Sequence, residues 1–169
     1  MTFGQDGDFS VDGLLRRYAD DLGNDLGNLL HRVVSMIGRY REGIIPPVCP
    51  PEPALLEAAT AASLEWEQAL KTLNFSLGLQ AIWGLLGVAN RYVDQQAPWS
   101  LAKRGDDAGL NRVLYAAAEA IRMAAVLLSP AMPATCAEIA RQLGLTDWSP
   151  RWEQASQWGL LPEGQAIGE

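Results

Sequence analysis

Residues 79–103 read LQAIWGLLGVANRYVDQQAPWSLAK. This stretch is almost wholly apolar as far as Ala89, which predicts a helix buried inside a helical core. Pro98 has no backbone N–H and disfavours helical geometry at Ala97, so we expect the helix to stop there. Trp99 then follows at a fixed turn, where its large flat ring can be presented to a partner.

Helical periodicity extends over most of the remaining chain. Apolar residues recur at helical spacing from Ser10, a good N-cap residue, to Gly43, which suits a helix C-terminus. Prolines between Pro46 and Pro53 predict a stiff connection that contains no helix. The other predicted helices are Glu52 to Leu73, Phe75 to Ala97, Asp106 to Leu128 and Pro133 to Gly144. The sequence therefore predicts an all-α fold, an antiparallel bundle of about five helices.

The length and composition fit one globular domain. A chain of 169 residues, 49% hydrophobic and 20% charged, can bury a sizeable core. We expect residues 1–10 to form a linker and residues 145–169 to form a tail that packs on the bundle. No apolar run reaches the roughly 18 residues needed to span a membrane, and the N-terminus does not look like a signal peptide. The expectation is a cytoplasmic protein with no membrane contact.

The charge balance is acidic, at −7, which argues against general binding of nucleic acid. A local exception is predicted near the N-terminus, where basic side chains cluster. They are Arg16, Arg17, Arg32, Arg39 and Arg41. A small basic strip of this kind can hold a single-stranded loop.

The first predicted helix carries Asn24, Asn28 and Arg32 at positions i, i+4 and i+8, so they share one side of that helix. Asparagine is a poor helix former, so placing two on one face has a cost that solvation does not explain. An amide can hydrogen-bond a base edge, and a guanidinium can hold a base or a phosphate in a fixed fork. From the residues alone, a solvated polar face remains the other interpretation.

Two residues near the Pro-Trp turn have two interpretations each. An exposed Trp99 could stack on an unpaired base, which is worth roughly 1–3 kcal/mol. The residues alone favour a core tryptophan at a helix corner, because most of the six tryptophans must be core. Asn90 could cap and pack the end of its helix, or it could support a binding site next to Trp99.

No catalytic or metal site is predicted. His31 is the single histidine and has no paired carboxylate or nucleophile at a recognisable spacing. Cys49 and Cys136 form no CxxC pair, so the sequence does not predict structural zinc. Phosphate-binding loops, dinucleotide-binding turns and HExxH helices are also missing from the sequence. A small helical enzyme built on His31 is thereby disfavoured.

Three segments of the chain resemble methionyl-tRNA synthetases of the bacterial type. They are residues 3–10, residues 21–32 and residues 90–103 with the Pro-Trp pair. Weaker similarity extends over residues 128–133, with Leu143-Gly144, and over residues 158–164 at the C-terminus. The matches occur in the family's order along almost the whole chain, which is far more specific than any one motif. The resemblance implies the anticodon-binding domain type found in class I synthetases.

The resemblance also implies roles for individual residues. Asn28, Arg32, Pro98 and Trp99 match the family positions that read the anticodon. In the family the tryptophan stacks on the first anticodon base, a cytosine, while the asparagine and arginine hydrogen-bond anticodon bases. We add Asn24 and Asn90 to the expected tRNA anticodon-binding set. The family often has Asn where this chain has Ala19, which is one departure.

The family's catalytic domain has HIGH and KMSKS signatures and a zinc-bearing insertion, and the chain contains none of these. We therefore expect a C-terminal fragment, inactive alone and without a cofactor, of a parent methionine-tRNA ligase. The parent is expected to use ATP with Mg²⁺, with zinc in the missing domain. The expected partners are the CAU anticodon loop of tRNA(Met) and the parent's own catalytic domain, with the fragment a monomer.

Two alternative functions remain open from sequence. One is the anticodon-binding domain of another class I aminoacyl-tRNA synthetase, which would prefer a different anticodon. The other is a helical protein-interaction module, which would expose an apolar patch and would not depend on RNA.

Overall fold

The computed structural model describes residues 25–168. Within this range it contains six α-helices and a short 3-10 helix, Trp152–Ala155. The α-helices are α1 (Asn28–Arg41), α2 (Pro53–Lys71), α3 (Phe75–Gln96), α4 (Pro98–Arg104), α5 (Asp107–Leu128) and α6 (Pro133–Gln142). The only β pairing in the described residues is an isolated bridge between Ile44 and Ala166. The predicted all-α fold is confirmed, and five of these helices correspond to the five that the sequence predicts.

The helix ends follow local backbone chemistry. Helix α1 stops at Arg41 because Glu42 and Gly43 both adopt positive φ, so the C-cap is Glu42, one residue before the predicted glycine. Pro53 occupies the first turn of α2 and Pro133 that of α6, where a missing N–H removes no intrahelical hydrogen bond. The predicted start of the first helix at Ser10 lies outside the described residues.

The sequence predicted a turn after Pro98, and this prediction is wrong because a second helix begins there. Helix α4 begins at Pro98, so the chain re-enters helical geometry after a single residue, Ala97. Ala97 has φ 44° and ψ 63°, the left-handed conformation. Proline is suited to the first position of a helix, so Pro98 ends α3 and starts α4. Trp99 therefore lies in the first turn of a helix.

Helix α5 runs through the centre of the molecule. All of its residues from Val113 to Leu128 are buried, and it packs against all five other α-helices of the described residues, most extensively against α3. Many of these residues are alanines, which let neighbouring backbones approach closely. The burial extends to two charged residues, Glu119 and Arg122, which form an ion pair.

The C-terminal tail is fastened to α5 by this buried pair. Glu119 accepts hydrogen bonds from Arg122 and from the backbone N–H groups of residues 159–161, at 2.8–3.1 Å. Arg122 in turn donates to the carbonyl oxygens of Gln154 and Gln157. Three tryptophans of the tail pack against the core. They are Trp148, Trp152 and Trp158.

Helices α2 and α3 form the closest helix pair in the described residues, and Gly78 makes that approach possible. A Cβ atom added at Gly78 would overlap the ring of Trp66, which is buried, and would lie 2.9 Å from the Cβ of Ala69. Gly84, further along α3, is exposed and has no neighbouring atom within reach of an added Cβ. The two glycines therefore differ only in what lies next to them.

We expect Gly78→Ala to lower the free energy of unfolding by about 1–3 kcal/mol, because the Trp66 ring has to move out of a packed position. Gly84→Ala is the matched control. It should raise the free energy of unfolding by about 1 kcal/mol, since alanine is the better helix former and meets no atom. Urea unfolding of both variants checks this pair, and equal effects at the two positions would contradict the packing described.

None of the helices within residues 25–168 is both long enough and apolar enough to cross a membrane.

Candidate functional site

Helix α1 meets the C-terminal part of α3 through two polar contacts. The guanidinium of Arg32 forms an ion pair with Asp94, with 2.6 Å between Nη2 and Oδ1. The Asn90 amide donates to the carbonyl oxygen of Asp25, just before α1, at 3.5 Å, and to that of Leu86 at 3.2 Å. The start of α1 is therefore held against the last turns of α3, which lead directly into the Pro-Trp segment.

The N-terminal end of α1 presents polar groups to solvent. Residues 25–27 form a π-helical turn, and Asn28 begins the α-helix with its side chain exposed. No side chain caps this helix at Gly27. Arg32, one turn further on, is half-buried beside Asp94. Asn24 lies outside the described residues.

Trp99 is held out from the protein by the residues before it. Its exposed fraction is 46%, and it is the most exposed of the six tryptophans in the chain, all of which are described. Pro98 beside it is buried, and the carbonyl of Ala97 accepts hydrogen bonds from the N–H groups of Ser100 and Leu101. The structure thus rejects the interpretation of Trp99 as a core residue. Its indole ring is carried on a fixed backbone and is partly open to solvent.

These groups together can recognise an unpaired base. Asn28 supplies a free amide, Arg32 a guanidinium and Trp99 a stacking surface, and all three lie on elements joined around the end of α3. Single-stranded RNA is read by this combination of aromatic stacking and hydrogen bonds to base edges. The Asn90 amide is engaged with backbone carbonyls, so Asn90 supports the site indirectly, by holding the backbone before α1.

The sequence interpretation missed Asp94. Asp94 follows Asn90 by four residues, so helical spacing alone places both side chains on one face of α3. That face meets Arg32 and the backbone of Asp25, and an aspartate four residues after Asn90 is a signal that could have identified the partner of Arg32. A carboxylate paired with an arginine fixes the direction of the guanidinium.

The predicted basic strip is largely neutralised within the described residues. Arg32 pairs with Asp94 and Arg41 pairs with Asp107, while Arg39 lies over the Tyr40 ring, 5.5 Å from its centroid. Arg16 and Arg17 lie outside the described residues. Other exposed cations near the end of α3 are Arg91, Lys103 and Arg104. The site therefore offers a few directed contacts and little general attraction for phosphates.

No catalytic arrangement is visible among residues 25–168. His31 is exposed on α1, and no group of histidine, cysteine, aspartate or glutamate residues in this range has a geometry suited to a metal ion. Burial raises the pKa of the Cys136 thiol to about 11 and also raises that of Cys49, so both stay protonated and unreactive at neutral pH. Burial likewise raises the pKa of Tyr92 to about 12.

A family model matches most of the chain. The family is described as the anticodon binding domain of methionyl tRNA ligase, and the match covers residues 47–168. The chain is also 41% identical over 171 residues to the methionine–tRNA ligase of Caldanaerobacter subterraneus and 38% identical over 169 residues to that of Bacillus subtilis. These alignments cover 99% and 96% of the chain but only 27% and 26% of the two relatives. The chain thus spans about a quarter of their length.

Solved structures give the same similarity. Methionyl-tRNA synthetase of Mycobacterium tuberculosis in its free state superposes with a TM-score of 0.89 at 32% identity. The match covers 99% of this chain and 34% of that one. A structure of the same enzyme bound by methionyl-adenylate gives the same TM-score. The family resemblance predicted from the sequence is confirmed.

Proposed function

Since the chain belongs to the family of methionyl-tRNA ligase anticodon-binding domains, we propose that it recognises the CAU anticodon loop of a methionine tRNA. A domain of this family binds tRNA, and the family's specificity disfavours an anticodon of another amino acid. The observation that carries the proposal is the half-exposed Trp99 ring on the helix that follows α3, close in sequence to Asp94, which pairs with Arg32 of α1. An independent interaction module would not require an aromatic ring fixed in this way.

The proposed mechanism divides the work among the site residues. The Trp99 indole stacks on the first anticodon base, the cytosine, once that base has left the loop's own stack. Asn28 and Arg32 donate hydrogen bonds to anticodon base edges. Pro98 fixes where α4 starts and thereby where Trp99 stands. Asn90 holds the backbone before α1 in place. Asn24 is included among the proposed anticodon-binding residues because it lies four residues before Asn28.

The whole ligase is proposed to attach methionine to this tRNA in a reaction that consumes ATP. In that scheme residues 1–169 form one anticodon-binding domain, and a catalytic domain of the same parent chain carries ATP, Mg²⁺ and any zinc. The domain contributes binding and selection of the correct tRNA, so it should not form an aminoacyl bond alone. We expect it to act as a monomer in the cytoplasm.

The experiment is a titration of the protein with an anticodon stem-loop of methionine type at low salt, compared with a stem-loop in which all three anticodon bases are replaced. Tighter binding of the CAU loop supports the proposal. Equal affinity for the two loops would contradict it.

Arg32→Lys should weaken binding of the CAU loop by about 1–3 kcal/mol, because lysine keeps the charge but lacks the planar fork that fits a base edge. The salt dependence of binding should stay nearly unchanged, since the positive charge remains. Lys71→Arg, an exposed change on α2, serves as the control and should leave the affinity alone. A lysine variant with wild-type affinity would show that Arg32 acts only as a charge.

A further inference from the structure

The guanidinium of Arg41 joins the end of α1 to the start of α5. Its Nε donates to the Asn111 side-chain oxygen, and its Nη2 donates to Asp107, at 2.9 Å to the carboxylate and 3.1 Å to the backbone carbonyl. Its Nη1 donates to the carbonyl of Tyr40 at 2.7 Å. All three guanidinium nitrogens of Arg41 are therefore engaged. The contacts with α5 all go to the first two turns of that helix.

The first turn of α5 is closely connected to α4, the helix that carries Trp99. Helix α4 packs against α5, and the N–H of Asp106 donates to the carbonyl of Leu101 at 3.1 Å. The Asp106 carboxylate then caps α5 by accepting from the N–H of Gly109 at 2.9 Å. These bonds restrict movement of α4 relative to the start of α5. A contact that holds the start of α5 therefore also holds α4.

We propose that Arg41 is a positioning residue that sets the base-reading face of α1 relative to Trp99. Besides its buried apolar side, α1 has two polar attachments, by Arg32 to α3 and by Arg41 to α5, nine residues apart or about 13 Å along the axis. Apolar burial is non-directional, whereas two separated polar attachments fix both the height and the direction of the helix. This inference rests on the proposed function, since it concerns how Asn28 and Trp99 come to face one base.

The energy of this contact is small compared with its geometric effect. The Asp107 side chain is 80% exposed, and exposed ion pairs contribute little to stability. Arg41 is therefore poorly explained as a stabilising residue alone. A guanidinium suits this position, because its donors are fixed in one plane and bond four acceptor atoms on three residues at once.

The test is a double-mutant cycle on stem-loop affinity with Arg41→Met and Trp99→Ala. We expect Arg41→Met to weaken binding of the CAU loop by about 3- to 10-fold and to reduce its preference over a loop with the first base replaced. In the Trp99→Ala background the same change should alter affinity less than about 2-fold, because the geometry it protects is already lost. Thermal unfolding of both variants confirms that they remain folded.

Lys71→Met provides a control with the same loss of one positive charge, since within residues 25–168 Lys71 pairs only with Glu67 on its own helix. It should leave affinity and preference at wild-type values. If Arg41→Met has no effect, or weakens binding equally with and without Trp99, the positioning role is wrong while the proposed function stands. If the wild-type protein itself shows no preference for the CAU loop, both are wrong.

Discussion

Replacing Glu119 by alanine should lower the free energy of unfolding by about 3–5 kcal/mol. Glu119 has no exposed surface, and Arg122 beside it is buried as well. The substitution leaves the Arg122 charge without its carboxylate and removes the acceptor for the N–H groups of residues 159–161. Buried donors that lose their partner keep the full cost of their desolvation.

The measurement is equilibrium unfolding in urea, with Glu138→Ala as the matched control. Glu138 also pairs with an arginine three residues later, Arg141, but both side chains are half-exposed. Its loss should cost less than about 1 kcal/mol, because water replaces an exposed partner. Similar losses for the two variants would mean that the tail is not fastened to α5 through Glu119.

Trp99→Ala should weaken binding of the CAU stem-loop by roughly 1–3 kcal/mol, which is the value of one base stacked on an aromatic ring. The stability of the protein should change little, because the ring is 46% exposed and fills no core position. Trp99→Tyr should recover part of the affinity, since a smaller aromatic face remains available for stacking.

Leu77→Ala is the control for this change. Leu77 is 48% exposed, close to the value for Trp99, but lies in the first turn of α3 at the other end of that helix. Its loss should leave stem-loop affinity unaltered. If Trp99→Ala binds as tightly as the wild-type protein, Trp99 does not stack on the anticodon.

The helices of this fold could be predicted from sequence because they depend on local signals. Proline at the first turn, asparagine or aspartate at the N-cap and apolar periodicity all act within a few residues, and Asn74 and Asp106 do cap α3 and α5. Helix α4 escaped prediction because only one residue separates it from α3. Its existence depends on Ala97 adopting a conformation that alanine rarely takes, which no pattern in the sequence indicates.

The candidate site was likewise predictable only where it depends on local sequence signals. Helical spacing predicted that Asn28 and Arg32 share a face, and the Pro-Trp pair drew attention to Trp99. Spacing could not predict that Arg32 of α1 meets Asp94 near the end of α3, so this ion pair was missed. The exposure of Trp99 also depends on tertiary packing, since tryptophans are usually buried and sequence alone favoured a core position.

The contacts between distant segments were beyond sequence reasoning altogether. Glu119 reads as an ordinary polar residue on a helix, and only the folded tail converts it into an acceptor of four groups. Arg41 likewise looks like a cation suited to a helix C-terminus, a role that its neighbours also satisfy. Its contacts with α5 depend on how two helices far apart in sequence come together.

The most direct test is the affinity of this protein for a methionine anticodon stem-loop, measured against the same loop with only its cytosine replaced. We predict tighter binding of the CAU loop, with the preference lost in Trp99→Ala. Equal affinity for both loops, or a preference that survives the loss of Trp99, would contradict the account of how this site reads RNA.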